Sequence, residues 1–248
     1  MLKVLFSPSE DKNATSPHVS ELENSLWSGG KFFSRKKCVD IYNEILSDKD
    51  EKELSKLFGF KNKKDIEKFS PLRFFAYESQ KAVLRYSGVA YANLNYGDLQ
   101  KASRDFIDNS VMIFSNLFGP ILAGDKIPYY KLKQGESLRG FDTASYYKEI
   151  FSSDIDEWLG DDFAIDLRAV FYEKFYCLKK PHVAMKFYKN GKILSHFAKA
   201  YRGVVLRTLA IHKPQNISEF ERINFQNLHI KEIKKMGFKT EYSFEIGE

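Results

Sequence analysis

The chain has 248 residues, of which 43% are hydrophobic and 15% aromatic, and its formal net charge is +6. This composition suits one large folded domain or two small ones, and it excludes a disordered or low-complexity chain. The two cysteines, Cys38 and Cys177, are too few and too distant for a disulfide framework or a thiolate zinc site. No apolar run approaches the roughly 18 residues of a membrane helix, so we expect no membrane contact and a reducing cytoplasm.

The first half of the chain combines short helices with buried strands. The apolar runs Leu2–Phe6 and Val111–Ser115 predict two such strands. Residues 11–34 are polar and are expected to be largely loop. Helices are predicted over 36–46, Glu51–Phe58, 62–69, 74–86 and 98–108. Gly59 is expected to end one of these helices in the left-handed conformation, Asn62 and Asp98 to cap the next ones, and Gly88 to close the helix before it.

The second half alternates strands and helices in the same way. A loop rich in Gly and Pro is predicted over 116–130, a helix with an acidic outer face over Thr143–Leu159, a strand over 163–167 and a helix near Tyr172. Asn190 and Gly191 favour positive φ and predict a hairpin between strands at 183–188 and 192–196. The remaining predictions are a helix over 198–211, a helix opened by a capping box at 218–221, and a final strand over 238–246.

Strands and helices mix along the whole length, without a linker or an internal repeat. The sequence therefore predicts the α+β class, as a single large domain over 1–248 with a mixed β-sheet surrounded by helices. Within it, segment 51–69 has two helices around Gly59, with Lys61, Lys63 and Lys64 near the turn. Such a turn can hold a DNA phosphate on its backbone N–H groups, as in a helix-hairpin-helix element. A plain helical hairpin fits the same spacing.

Charge is unevenly distributed along the chain. Segment 174–218, called the basic window below, contains no Asp or Glu, although the chain has 33 acidic residues. Its cations are Lys174, Lys179, Lys180, Lys186, Lys189, Lys192, Lys199, Arg202, Arg207 and Lys213. A face built from this window would hold a positive potential that no neighbouring carboxylate neutralises, and it would attract phosphates. A solvated basic surface without a partner fits the same composition.

A first candidate site follows the first predicted strand. Ser9 offers a hydroxyl, Glu10 a carboxylate and Lys12 an ammonium group directly after the apolar run. Proteins with a parallel sheet place ligands at the carboxyl ends of their strands, where these groups would lie. An ordinary capped turn is the competing interpretation.

A second candidate site follows the strand over Val111–Ser115. Ser115 and Gly119 stand at its end, and Asp125 and Tyr130 come later in the predicted loop. Loops this rich in Gly and Pro are often functional, because they carry polar groups on a rigid scaffold. The pattern indicates a second polar cluster at a strand end.

A third candidate site is the pair Lys199 and Arg202. The two cations are three residues apart, so they share one face of the predicted helix, and no acidic residue is near them in the sequence. Two such cations form a reasonable phosphate clamp, with Tyr201 available for stacking on a base. The five histidines form no metal-binding pair and the acidic residues no metal loop, so we predict neither a metal nor a cofactor.

The order of these segments resembles the YaaA family of bacterial peroxide-stress proteins. FSPSEDK is similar to the short motif after the family's first strand, with Asp11 where glycine is usual, and FSNLFGPILAGDKIPYYKL is similar to the family's central stretch. The matching residues in these two motifs are Ser7, Pro8, Ser9, Glu10, Lys12, Ser115, Leu117, Gly119, Asp125, Tyr130 and Leu132. Asn116, Phe118 and Lys131 are departures of similar character.

Two later motifs continue the resemblance. Asp166 and Leu167, followed by Tyr172 and Lys174, are similar to a family segment whose serine is replaced here by Ala169. HFAKAYRG is similar to the family's last motif, and the matching residues there are Lys199, Arg202 and Gly203. Four motifs in the same order, at similar separations, carry the resemblance over nearly the full length.

The resemblance implies a family-specific fold with a basic cleft and a helix-hairpin-helix-like element at 51–69. It implies binding to double-stranded or structured DNA and protection of DNA from iron-dependent damage during hydrogen peroxide stress. The residues predicted to contact DNA phosphates are Lys12, Lys61, Lys63, Lys64, Lys131, Lys174, Lys199 and Arg202. The residues predicted to line a pocket are Ser7, Pro8, Ser9, Ser115, Gly119, Tyr130, Tyr172 and Gly203.

An enzyme acting on nucleotides or nucleic-acid bases is the main alternative. In that reading Glu10 or Asp125 acts as general base, and Lys199 with Arg202 holds a phosphate of a small nucleotide ligand. A single deep pocket with both carboxylates would favour this enzyme, whereas a long, shallow basic groove would favour DNA binding. Direct iron handling is the third reading, and no ligand set in the sequence supports it.

Overall fold

The main sheet is built on strands that are apolar on both faces. The computed structural model describes residues 1–14, 18–19, 26–27, 31–69, 78–194 and 198–247. In these residues the strands are β1 Leu2–Phe6, β2 His18–Val19, β3 Glu78–Lys81, β4 Val111–Ser115, β5 Gly119–Leu122, β6 Lys126–Pro128, β7 Phe163–Asp166, β8 His182–Lys189, β9 Lys192–Ile193, β10 Leu228–Met236 and β11 Lys239–Ile246. Every residue of β1 and β4 is buried, as expected for strands covered on both faces.

The strands form a mixed sheet and a small second sheet. Within the described residues, eight strands lie in the order β10, β11, β8, β7, β1, β4, β5, with β9 paired to β8. Neighbours from β11 to β4 are parallel, whereas β5, β9 and β10 run antiparallel to their partners. Strands β2, β3 and β6 form the second sheet. The predicted mixed sheet flanked by helices is therefore confirmed.

The helices cover this sheet and pack on one another. In the described part of the chain they are α1 Phe32–Asp48, α2 Glu51–Phe58, α3 Lys63–Phe69, α4 Ala82–Arg85, α5 Val89–Leu94, α6 Lys101–Ser110, α7 Thr143–Leu159, α8 Ala198–His212 and α9 Ile217–Glu221, with 3-10 turns at Tyr96–Asp98 and Val170–Phe175. Helix α6 packs on β1, β4 and β5, and α8 packs on α5 and β8. Among these described residues, no helix has the length and apolar character needed to cross a membrane.

The two helices and the turn predicted at 51–69 are present in the structure. Helices α2 and α3 are joined through Gly59, which has φ of 75°, and the Asn62 side chain accepts a hydrogen bond of 2.8 Å from the Asp65 N–H. The ammonium of Lys63 lies 2.7 Å from the carboxylate of Glu51. The two helices and the turn are confirmed. The helix-hairpin-helix element is not, and its DNA contacts stay a prediction.

Three predictions about local structure are wrong, each because a tertiary contact decides the outcome. Residues 78–81 form β3 instead of helix, because Ser79 pairs with Pro128 on β6; residues 74–77 lie outside the described residues. The predicted loop over 116–130 contains β5, which pairs back on β4. Asp98 does not cap α6, because its carboxylate lies 2.8 Å from the guanidinium of Arg207.

The start of the helix near residue 218 also differs from the prediction. The cap is Asn216, whose side-chain oxygen accepts a hydrogen bond of 2.9 Å from the Glu219 N–H. The Glu219 carboxylate accepts a hydrogen bond from the N–H of Gln215, the residue before the cap, so the predicted capping box at 218–221 is wrong and the helix is capped two residues earlier. Ser218 is therefore inside α9.

Candidate functional site

The polar segments that follow β1, β4 and β7 meet at one edge of the sheet. These strands are parallel, so their carboxyl ends lie together. The Ala169 N–H donates a hydrogen bond of 2.8 Å to the Ser7 hydroxyl, which joins the end of β7 to the end of β1. The Lys12 ammonium lies 4.1 Å from the centre of the Tyr130 ring, and the Tyr130 hydroxyl lies 2.9 Å from that of Ser115. The structure therefore brings Ser7, Lys12, Ser115 and Tyr130 together at this edge.

A buried tyrosine network holds this edge together. The Tyr130 hydroxyl lies 2.8 Å from the Tyr86 hydroxyl and donates to the Asn116 side-chain oxygen at 3.3 Å. Burial raises the pKa of Tyr86 to about 12 and the pKa of Tyr130 well above its ordinary value. The Ser115 hydroxyl also accepts hydrogen bonds from the N–H groups of the turn that follows it. These hydroxyls therefore stay neutral and fix the loops after β4.

Lys12 lies inside this edge rather than on an open surface. Its ammonium donates hydrogen bonds of 3.1 Å and 3.2 Å to the carbonyl oxygens of Ser9 and Glu10, and it lies 5.3 Å from the centre of the Tyr86 ring. Burial, followed by repulsion from Lys131, lowers the pKa of Lys12 to about 7. The side chain is thus only partly charged near neutral pH. Its surroundings are aromatic rings and carbonyls, which differ from those of a solvated phosphate contact.

The two carboxylates proposed as general bases lie at opposite ends of β4 and β5. Glu10 follows β1 and accepts a hydrogen bond of 2.9 Å from the Gln134 N–H. Strand β5 returns antiparallel from Gly119, and Asp125 follows it at the far end of the sheet, where it accepts hydrogen bonds from the N–H groups of Trp27 and Leu122. Burial raises the pKa of Asp125 to about 6. The structure does not bring the two carboxylates into one pocket.

Two of the predicted pocket residues are glycines that allow close packing. Gly119 has φ of 70°, and a Cβ there would lie 2.7 Å from the Tyr147 ring. A Cβ at Gly203 would overlap the backbone carbonyl of Ala90. Both positions are buried, so these glycines shape the fold, and no ligand contact is assigned to them.

Of the other predicted pocket residues, Ser7, Pro8 and Ser9 are half-buried, and Tyr172 is buried. The Ser7 carbonyl accepts a hydrogen bond of 2.9 Å from the Tyr91 hydroxyl. The Tyr172 ring packs against the ring of Phe175. These residues therefore belong to the same interior edge as Lys12.

A cleft of about 730 Å³ opens where β7 and β8 part. Strand β8 pairs with β7 only as far as Ala184, and it pairs with β9 from Tyr188. The space between these two pairings is closed by α8 and by the 3-10 turn after β7. Residues that line it, and define what we call the β7–β8 cleft, include Asp166, Arg168, Lys186, Lys199 and Arg202. The predicted pair Lys199 and Arg202 therefore lies in this cleft.

One wall of the cleft carries a buried ion pair that sequence reasoning missed. The Arg168 guanidinium binds both oxygens of Asp166, at 2.9 Å and 2.7 Å, and donates to the carbonyls of Tyr172 and Tyr176. Burial alone would raise the pKa of Asp166, but the charge and hydrogen bonds of Arg168 hold it below its ordinary value. The Asp166 carboxylate therefore belongs to an ion pair at the end of β7 rather than to a solvated surface. The signal available was an Asp at a strand end, with Arg two residues later.

Lys199 and Arg202 are the unpaired cations of the cleft. Within the described residues, neither side chain makes a hydrogen bond or an ion pair, whereas Lys186 lies 2.8 Å from the carboxylate of Glu241. Burial lowers the pKa of the Arg202 guanidinium, and the charge of Asp166 opposes that shift. Glu173 is the cleft's unpaired carboxylate in the same described residues. An anion entering the cleft would therefore be held at α8.

The basic window is less free of carboxylates than its sequence indicates. Acidic residues from other segments reach it: Glu241 pairs with Lys186, and Asp98 pairs with Arg207 at 2.8 Å. The Lys180 ammonium donates hydrogen bonds to the carbonyl oxygens of Leu159 and Asp162, which close the turn after α7. The expectation of a face without neighbouring carboxylates is therefore wrong for part of the window. Lys199 and Arg202 form no ion pair within the described residues, although the charge of Asp166 acts on Arg202.

The other predicted DNA contacts lie on separate surfaces. Lys61, Lys63 and Lys64 are exposed around the α2–α3 turn. The Lys131 ammonium lies 5.2 Å from the centre of the Phe60 ring, and the Lys174 ammonium 5.1 Å from that of Phe171. The cleft lining, in the residues that are described, includes none of these lysines. The structure thus gathers two of the predicted phosphate contacts, at α8, and leaves the others apart.

The described His, Cys, Asp and Glu side chains do not form a metal site. In the described ranges, no group of three or more His, Cys, Asp or Glu residues is arranged to hold a metal ion. In the cleft, the Nδ1 atom of His182 lies 2.8 Å from the Lys180 carbonyl oxygen. Burial raises the pKa of the Cys38 thiol to about 11, so it stays protonated. We assign no metal or cofactor to these residues.

Comparison with known proteins places the chain in a family. The family model described as "Peroxide stress protein YaaA" matches residues 2–234. The chain belongs to this family. An uncharacterized protein of Campylobacter jejuni is 42% identical over 245 residues, covering 99% of both chains. The YaaA resemblance carried by the four motifs is therefore confirmed.

More distant relatives of this YaaA-family chain have similar length. A UPF0246 protein of Fusobacterium nucleatum is 25% identical over 241 residues, covering 92% of this chain and 93% of the relative. A UPF0246 protein of Delftia acidovorans is 28% identical over 245 residues, covering 90% and 91%. The similarity therefore extends over both the interior edge with Lys12 and the β7–β8 cleft.

Proposed function

We propose that this YaaA-family protein binds DNA in the response to hydrogen peroxide and so protects it from iron-dependent oxidative damage. The contacts are to phosphates, and the β7–β8 cleft supplies the central ones. The observation that supports this proposal is the Arg202 guanidinium, which is half-buried and has no partner among the described residues. Lys199 stands three residues earlier on the same helix and lines the same cleft.

The chemistry of these two side chains suits a phosphate. A guanidinium offers a planar fork of N–H donors that matches two phosphate oxygens, and an ammonium adds a second charge. Because Arg202 is partly removed from water, its interaction with an anion is stronger than at an open surface. A bound phosphate would also supply hydrogen-bond acceptors to the Arg202 guanidinium, which makes no hydrogen bond within the described residues.

Binding through phosphates predicts recognition of DNA structure rather than of sequence. Base reading in a groove uses Asn, Gln and Arg side chains that project together from one element. The cations around the α2–α3 turn, Lys61 and Lys64, are exposed and provide further backbone contacts in this proposal. Affinity should therefore fall steeply as salt rises.

The enzyme alternative loses its main support. A single deep pocket with both Glu10 and Asp125 would have favoured it, whereas Asp125 caps a turn at the far end of the sheet. The β7–β8 cleft is lined by Lys199 and Arg202 without either carboxylate. DNA binding is the function that this geometry favours.

The test is a comparison of two double variants with equal loss of charge. Duplex DNA affinity is measured by fluorescence anisotropy at low salt for wild type, for Lys199→Ala/Arg202→Ala and for the control Lys235→Ala/Arg222→Ala. The control residues are exposed and lie outside the cleft lining. We expect the cleft variant to bind at least about tenfold more weakly than wild type, since each charge-assisted hydrogen bond contributes roughly 1.5–3 kcal/mol.

The control should stay within about threefold of wild type, because exposed charges contribute little individually. An equal loss of affinity in both variants would show that only net charge matters. Binding by the cleft variant at the wild-type affinity would contradict the proposal.

A further inference from the structure

We infer that the β7–β8 cleft receives a single unpaired nucleotide of the bound DNA, with its base against Val170 and Ile193 and its phosphate on Arg202 and Lys199. The inference rests on the proposed DNA binding and adds to it a preference for DNA that carries an extrahelical base. Four features of the cleft support it: its size, its two exposed apolar side chains, its unpaired cations and the position of its unpaired carboxylate.

The size of the cleft suits one nucleotide. Its volume of about 730 Å³ falls within the range of pockets that bind small molecules, roughly 300–1,000 Å³. In a duplex the bases are paired and stacked, so a base reaches such a pocket only when it leaves the helix. The energetic cost of leaving is smallest for a base that has no partner.

Two exposed apolar side chains line the cleft. Val170, in the 3-10 turn after β7, is 76% exposed, and Ile193, on β9, is 60% exposed. Both belong to the cleft lining, and we call this pair the apolar rim. Large apolar side chains are usually covered, and in a cleft they mark a surface that a planar apolar partner removes from water. The faces of a nucleic-acid base are such a partner.

The charges of the cleft determine which end of it would hold the phosphate and which the base. Arg168 is bound by Asp166, and Lys186 and Lys239 by Glu241, so these cations are already satisfied. The unpaired cations, Lys199 and Arg202, stand on α8. The unpaired carboxylate of Glu173 stands on the same 3-10 turn as Val170 and would repel a phosphate there. The phosphate therefore belongs at α8, and the uncharged base belongs at the apolar rim.

The test compares a plain duplex with the same duplex carrying one unpaired adenine in its centre. Affinity for both is measured by anisotropy with wild type and with Val170→Ser/Ile193→Ser. The control is Val89→Ser/Ile211→Ser, because these two side chains are 54% and 53% exposed and lie outside the cleft lining. All four side chains are exposed, so neither variant should disturb folding, and circular dichroism checks this.

Wild type should bind the bulged duplex about tenfold more tightly than the plain one, because the unpaired base covers the two apolar side chains of the rim. The rim variant should lose most of this preference and keep its plain-duplex affinity within about twofold, whereas the control should behave as wild type. Equal wild-type affinity for the two DNAs would overturn this inference and leave the proposed function intact. So would an unchanged preference in the rim variant. Failure to bind either DNA would overturn both.

Discussion

Gly203 of α8 packs directly against the backbone carbonyl of Ala90 in α5, so that the two helices cross without a side chain between them. Such an approach needs a residue without a Cβ, because a methyl group would overlap the Ala90 oxygen. The crossing fixes the position of α8 relative to the sheet. Because α8 carries Lys199 and Arg202, it also fixes the cationic end of the β7–β8 cleft.

Gly203→Ala should therefore destabilise the protein by about 3 kcal/mol, the upper range for overpacking a close contact. The control is Gly97→Ala, because no atom lies within 4 Å of a Cβ built there. That change should stay within about 0.5 kcal/mol. Urea unfolding measures both. Equal stability of Gly203→Ala and wild type would contradict the close crossing of α5 and α8.

Tyr130→Phe tests the buried hydroxyl network. The change removes one hydroxyl and leaves those of Tyr86 and Ser115 without one of their partners. We expect a loss of about 1–3 kcal/mol, the usual cost of unsatisfied buried polar groups. Tyr201→Phe is the control, because the Tyr201 hydroxyl makes no hydrogen bond within the described residues. If the two variants unfold at the same urea concentration, the network does not stabilise the fold.

Asp125 should give the protein a pH-dependent stability below neutrality. The pKa of its carboxyl is raised from 3.8 to about 6, so the native state binds more protons than the unfolded chain between these values. The free energy of unfolding should therefore fall as pH rises through that window, by on the order of 2 kcal/mol, and then level off. Asp125→Asn keeps an oxygen acceptor and should remove this contribution. Urea titrations from pH 4.5 to 7.5 measure it, and an unchanged slope in the variant would contradict the assignment.

Lys12 should make the free energy of unfolding rise with pH above neutrality, which is the opposite of the effect of Asp125. Its pKa is lowered from 10.5 to about 7, so between these values the unfolded chain binds more protons than the native state. Stability contributed by this group should rise with pH across the window. Lys12→Met should therefore gain stability relative to wild type at pH 7 and lose most of that gain by pH 9.5, as followed by urea unfolding. Lys131→Met removes the second cause of the lowered Lys12 pKa and should reduce the pH dependence of stability only in part. If the stability difference between Lys12→Met and wild type does not change with pH, the Lys12 ammonium is not buried.

Elements whose ends are set by local chemistry were predictable from the sequence. The helix over Thr143–Leu159 begins after Asp142, whose carboxylate accepts a hydrogen bond from the Ala144 N–H. Asn190 and Gly191 have φ of 51° and 74° and form the predicted hairpin turn. In each case, the residue that decides the boundary lies within a few positions of it.

Features decided by distant partners were not predictable in this way. The polar segment over Glu78–Lys81 becomes a strand because β2 and β6 flank it, and neither partner is near it in the sequence. Asp98 and Glu241 neutralise cations of the basic window from segments far from it. Gly203 matched a family motif, but its function depends on a contact 113 positions away, with Ala90. Sequence spacing alone does not report such contacts.

The central claim is that Lys199 and Arg202 hold DNA phosphates, and its most direct test is the salt dependence of binding. Duplex affinity is measured at several salt concentrations for wild type and Lys199→Ala/Arg202→Ala. Each neutralised phosphate contributes about 0.9 to the slope of log affinity against log salt. We predict a linear plot for wild type and a slope smaller by about one to two in the variant. Parallel plots for the two proteins, or no DNA binding by wild type, would contradict the claim.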